Sequence, residues 1–434
     1  MKSIILLIAT GNLLRSLALA QPVPPRYKVT DLATLPGSPF TQATYIHDDG
    51  MITGLSTAAD GSQHSVFWYQ KFFADFGAKL LGGPNSGAFG FNGSGQADGI
   101  AETADKDPNN ENFCAYGTGL KCLPFRWQNG VATALPLLGG NNGTIGTINK
   151  LGEIVGVAET GVRDGSCPKE AAFTGVGPLV FDFAAVVWGP GPGQIRQLRP
   201  LPGDTVSEAL FNNDNGEVVG ASGTCATTSL PPIAAGPHAV LWDKNGTPHD
   251  LGNLGGDGTT AQMGAGNIGL AVNNRGQVTG ASAITGNATN HAYIWTSETG
   301  MRDLGTLPGD VLSVGTGIND ESLVIGSSMD KDGNPTAVIW ANGAIIDLNS
   351  LVPEDFPLFL LFATAANNSG QIVGFGVQKD APNHVHGFLA TPDFSDAALA
   401  RSSSPARRPA ISGSAREELQ QQVRFGKFMT STPQ

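Results

Sequence analysis

The sequence predicts an all-β fold, a seven-bladed β-propeller of four-stranded antiparallel blades, with a β-solenoid as the alternative. Three observations predict it. The 434 residues include 59 Gly, and only 14% are charged, against roughly 25% in an ordinary soluble domain. That composition suits short strands and tight turns and disfavours long surface helices, which draw on Glu, Lys and Arg. An Asn-x-x-Gly-x-x-x-Gly motif recurs seven times, and six of the copies are followed by a short apolar run ending in Trp. From Gly50 to Gly370 the six steps cover 320 residues, a mean period of about 53, within the range of stacked repeat architectures.

In chain order, Lys2, an apolar stretch from Ile4 to Leu14 and Ala18-Leu19-Ala20 form the pattern of an export signal, with cleavage expected after Ala20. Residues 1–20 are therefore assigned as a signal peptide, 21–394 as the repeat domain and 395–434 as a disordered basic tail. The repeat domain carries 17 basic against 34 acidic residues, a net charge of −17, and the tail 6 against 3, or +3. An acidic body argues against a nucleic-acid partner, because phosphate binding needs clustered Lys and Arg. No stretch after the signal reaches the ~18 apolar residues that span a bilayer. The reading is a secreted or periplasmic monomer that does not span the membrane.

Each repeat can be justified piece by piece. The motif reads NKLGEIVG from Asn149, NDNGEVVG from Asn213, NNRGQVTG from Asn273 and NNSGQIVG from Asn367, with looser copies from Asn92, from Asn319 (Ser322 in place of the first Gly) and from His47 (in place of Asn). Asn bonding its own backbone and Gly at positive φ make this a hairpin turn. The second Gly marks a place where another backbone comes close. The runs ending at Trp68, Trp127, Trp188, Trp242, Trp295 and Trp340 form a further strand, and the seventh run ends at Ala390. The segments of the type DLGTLPG, as from Asp303, supply another. Four strands per unit cannot bury both faces alone, so the units must stack, with the Trp filling the gap between sheets.

The combination of DLGTLPG from Asp303, INDESLVIG from Ile318 and HAYIW from His291 resembles the HAF family of probable extracellular repeats found in bacterial exported proteins, over about residues 27–391. The resemblance implies an exported repeat protein and brings no catalytic residues with it. His47, Ser322 and the missing seventh Trp depart from the pattern.

Function is expected where the repeats differ. From the second Gly to the Trp position the spacings are 14, 28, 32, 22, 15, 14 and 16, so units two, three and four carry insertions in the same loop. All four cysteines, Cys114, Cys122, Cys167 and Cys225, lie there. In an exported chain they read as disulfides. Three pairings are possible, and Cys114–Cys122 with Cys167–Cys225 is favoured. The insertions bring together Asp105, Asp107, Glu111, Phe113, Tyr116, Arg163, Asp164, Lys169 and Phe173 as a candidate binding surface. Aromatic and charged groups on stapled loops suit recognition.

No catalytic residue, cofactor or metal is assigned. Asp105-x-Asp107-x-Asn109 lacks the Gly and the closing Glu of a calcium loop, and His384-x-His386 has no third ligand nearby. Four histidines (His64, His238, His291 and His386) share one repeat position, which favours a structural bond over chemistry. The function read from this is a non-catalytic binding or scaffold propeller for an extracellular polysaccharide or exported protein. The alternative is a glycan hydrolase or lyase with carboxylates in the axial channel.

Overall fold

The computed structural model describes residues 25–167, 178–228, 236–258 and 266–395, and Arg408. The expected signal peptide and all but Ser395 and Arg408 of the tail lie outside them. Among the described residues twenty-eight strands form seven four-stranded antiparallel sheets, and the one helical element is the 3-10 turn Leu348–Leu351. The inner strands neighbour one another in cyclic order, and the last (Leu358–Ala366) meets the first (Thr41–Ile46). The sheets therefore close as a β-propeller, and the open solenoid is set aside.

Blades one to six are each built from four consecutive strands. Blade seven takes Leu358–Ala366, Ile372–Gln378 and Val385–Asp393 from the C-terminal end and borrows Arg26–Asp31 as its outermost strand. This interlock joins chain positions more than 350 residues apart, so the first DLATLPG segment completes the last blade.

The Asn turns behave as their residues dictate. Asn273 Oδ1 accepts from the amides of Arg275 and Gln277, both at 3.0 Å, and its Nδ2 donates to Gln277 Oε1 at 2.8 Å. The same Nδ2 also donates to the carbonyl of Asn319 in the next unit, at 2.9 Å. This link repeats from Asn92 to Asn149, Asn149 to Asn213, Asn213 to Asn273, Asn319 to Asn367 and Asn367 to His47. Six links thus run round the ring, and His47, which cannot make the seventh, packs edge-on against Phe91. All six first glycines have positive φ, and Ser322 adopts φ 62° in their place.

The second glycine is demanded by space. A Cβ at Gly54, Gly99, Gly156, Gly220, Gly280, Gly326 or Gly374 would collide with a backbone carbonyl of the adjacent inner strand. Just beyond that contact every inner strand carries a β-bulge, as between Ala43 and Tyr45 or Gly315 and Gly317. In three blades the extra residue is Thr, and Thr44, Thr316 and Thr364 each donate to a carbonyl of the next blade.

The Trp position proves to be one of two alternatives. Trp68, Trp188 and Trp340 lie over the second glycine of their blades. They donate Nε1 to the linker carbonyls of Ala33, Pro136 and Leu304. In blades two, five and seven an aromatic two residues earlier (Phe125, Tyr293, Phe388) sits over the glycine instead, leaving Trp127 and Trp295 only half-buried. The missing seventh Trp is therefore no packing defect, because Phe388 fills its slot.

Candidate functional site: the insertion-bearing end of the ring

Antiparallel topology places the connections between second and third strands at the end of the ring opposite the Asn turns. There the insertions of blades two, three and four sit side by side. Both expected disulfides are present. Cys114–Cys122 closes the blade-two loop (Cα–Cα 5.3 Å), and Cys167–Cys225 joins blade three to blade four (Cα–Cα 4.7 Å).

Beneath the loops lies a buried polar root. Asp107 Oδ1 accepts from the amides of Asn109 and Glu111 at 2.8 and 3.0 Å, and its Oδ2 accepts from Asn142 Nδ2 at 2.9 Å. Glu111 Oε1 accepts from the Val180 amide at 2.7 Å, binding the blade-two loop to the returning strand of the blade-three loop. Glu159 Oε2 accepts from the amides of Asn141 and Asn142 at 2.8 and 2.7 Å. Glu111 and Glu159 are neighbouring carboxyls, both fully buried. Burial first, and then the Glu111 charge, pushes the Glu159 carboxyl up to about 8, so the pair shares a proton at neutral pH. A second acidic pair lies nearby. Burial, and then Asp164, pushes Asp182 up to about 6, while hydrogen bonds from Ser166 hold Asp164 below its ordinary value.

The candidate surface residues divide accordingly. Asp107, Glu111 and Phe113 are buried and build the root rather than a contact surface. Asp105 and Arg163 are exposed, and Tyr116 and Asp164 are half-exposed. Arg163 lies 5.1 Å over the Phe181 ring and donates to Asn109 Oδ1 at 3.4 Å, bridging the two loops. Lys169 and Phe173 lie outside the described residues. The root residues Asn141, Asn142, Glu159 and Asp182 escaped sequence reasoning. Glu159 and Asp182 stand on the strands flanking the blade-three insertion, and Asn141 and Asn142 in the linker that enters blade three, so position was the signal they offered.

At the other end the axial mouth is a cavity of ≈ 120 Å³ lined by the Asn turns. Its polar groups are spent on one another. Asn274 Nδ2 bridges Asp214 and Asp320, Asn368 Nδ2 bridges Asp320 and Asp48, and Lys150 pairs with Asp214 at 3.4 Å. Two more carboxyls, Asp98 and Glu208, are fully buried within the blades and held well above the carboxylate range by burial. An aromatic pocket of ≈ 270 Å³ opens between blades one and two, where the displaced Trp127 meets Phe67 and Phe76.

Three of the repeat histidines pair with the Asp that ends the neighbouring outer strand: His64 with Asp75, His291 with Asp303 and His386 with Asp31. His238 pairs with Asp204 at the head of its own blade. His386 Nδ1 is thereby engaged. Among the described residues the one grouping with metal-ligand spacing is Cys167, Asp182 and Cys225, and its sulfurs are already in the disulfide. No described helix is long and apolar enough to cross a membrane.

These features define a disulfide-stapled seven-bladed β-propeller with one decorated end. No protein-family model matches the chain, and no curated protein does. Solved structures with a similar course include the β-propeller domain of the trilobed protease from Pyrococcus furiosus (9% identity, 88% of this chain, all of that one, TM-score 0.46). Oligogalacturonate lyase from Vibrio parahaemolyticus is another (10%, 85% and 97%, TM-score 0.48). A puromycin-hydrolysing peptidase of Mycobacterium tuberculosis matches at 11% identity and TM-score 0.47, over 85% of this chain and 52% of its own. At such identities and scores they say nothing about activity.

Proposed function

We propose that this chain is an exported, non-catalytic binding or scaffold propeller of the HAF-repeat kind, whose insertion-bearing end takes an extracellular polysaccharide or an exported protein. One observation carries the reading. The described parts of the insertions in blades two to four are tied to one another and to the ring by Cys167–Cys225 and by the Glu111–Val180 and Asp107–Asn142 bonds. Cross-links of this kind reduce the entropy lost on binding, which is what a recognition surface needs. Export is supported by both disulfides.

The glycan hydrolase or lyase reading asks for paired acids open to substrate. One acidic pair at this end, Glu111 and Glu159, is buried and bonded to backbone amides, and the axial carboxylates are bridged by asparagines, which leaves the half-exposed pair Asp164 and Asp182 as the one the substrate panel tests. The test applies the full-length protein to glycan and exported-protein arrays, and in parallel to a panel of polysaccharide substrates. Binding without turnover is expected. Turnover with no retained binding would refute the proposal.

A further inference from the structure

Blade six lacks the repeat histidine. Thr336 stands where His238 stands in blade four, since Thr336 pairs with Ser328 as His238 pairs with Ser222. The rest of the blade-four arrangement is kept. Ser222 Oγ donates to Asp204 Oδ2 at 2.6 Å, and Ser328 Oγ donates to Asp310 Oδ2 at 2.7 Å. In blade four His238 completes the site at 2.9 Å from Asp204. Without a counterpart, Asp310, whose side chain is 3% exposed, would be a buried carboxylate with no cation, an arrangement that costs several kcal/mol.

The missing cation comes from the tail. Arg408 Nη2 donates to Asp310 Oδ2 at 2.6 Å, its Nε donates to Thr336 Oγ1 at 2.6 Å, and its Nη1 lies 3.4 Å from Asp330 Oδ2. Thr336 is suited to this because its small side chain leaves room where an imidazole would stand and its hydroxyl accepts from the guanidinium. Asp347 adds negative charge close by. Three donors meeting three acceptors of fixed direction is a geometry that arginine satisfies and lysine does not.

We infer that the head of blade six is a guanidinium-binding socket whose occupant is Arg408 of the chain's own basic tail. The tail is thereby strapped to the insertion-bearing end of the ring, since Asp310, Asp330 and Thr336 all lie at that end. The inference is independent of the proposed binding function.

Limited trypsin digestion of the full chain tests it, because Asp310→Asn empties the socket while leaving the tail sequence intact. Cleavage after Arg407 should be about tenfold faster in Asp310→Asn than in the natural chain, since cutting follows the population of the released tail. Cleavage after Arg424 should be unchanged. If Asp310→Asn does not fold, Arg408→Gln reports the same cut. Thr336→His combined with Arg408→Gln should restore the melting temperature lost in Arg408→Gln while leaving the tail released, separating the strap from blade stability. Equal cleavage after Arg407 in the natural chain and the socket variant overturns the inference, as does failure of Thr336→His to restore stability.

Discussion

The two ends of the ring are held together by different kinds of bond. At the Asn-turn end, the links between blades are copies of one local rule. A side chain satisfies its own turn and then reaches the same atom one unit on, as Asn213 does with Asn273. At the insertion end the bonds that tie the loops together are singular, and they join residues far apart in sequence, as Glu111 does with Val180 and Cys167 with Cys225. Repetition makes an end that is closed, self-satisfied and insensitive to any single departure such as His47. Singular bonds make an end that can acquire a shape of its own, and that depends on each bond.

The largest effect should follow from breaking the insertion end. Replacing Cys167 and Cys225 together by Ser should cost about 2–4 kcal/mol in denaturant unfolding, because the pair closes a long loop and spans a separation of 58. The Cys114–Cys122 pair, with a separation of 8, should cost less. Thiol titration of the denatured, unreduced chain should find no free thiol.

At the repeating end, Asn273→Ala removes two accepted and two donated bonds of a buried side chain. A loss of about 2 kcal/mol is expected by the same measurement. A comparable loss from Asp49→Ala, which is exposed and outside the ring of links, would break the distinction between linked and unlinked turn positions.

The two ends should also separate by pH. Folded Glu159 keeps a proton up to about 8 that the unfolded chain releases near 4.5. Its contribution is therefore full below about 4.5 and is lost as pH rises to about 8. Asp182 acts in the same direction between 3.8 and about 6. Hydrogen-exchange protection in residues 107–119, measured relative to the intrinsic rate at each pH, should fall over that range, and Glu159→Gln should flatten the dependence, while protection at the Asn turns stays unchanged.

The smallest effect is at Ser322, which holds φ 62° where the other turns of full pattern have Gly. Ser322→Gly should raise stability by about 0.5 kcal/mol, from relief of the left-handed backbone less the lost bond from Ser322 Oγ to Gln277.

The same contrast explains what was legible in the sequence. Turns, spacing, the two glycines and four strands per unit repeat, so each copy confirms the others. The disulfide pairing was legible because only three arrangements exist. The displaced Trp127 and Trp295 could have been foreseen, since PFRW and HAYIW each carry a second aromatic two residues before the Trp. The polar root could not. Asp107 reaches Asn142 across 35 residues and Glu111 reaches Val180 across 69, and nothing periodic points from one to the other. Hence Asp107, Glu111 and Phe113 were legible as members of the insertions but not as its buried foundation. Arg408 in the blade-six socket was hidden for the same reason, its partner being 98 residues away.

The proposed recognition surface is the decorated end and not the axial mouth. The most direct measurement compares two full-length variants on one array that the natural chain binds. One carries Asp105→Ala with Arg163→Ala at the insertions, and the other Asp214→Ala with Asp320→Ala at the Asn turns. If the decorated end is the recognition surface, binding falls at least about tenfold, or about 1.4 kcal/mol, in the first and is retained in the second. Binding retained in the first and lost in the second would contradict it.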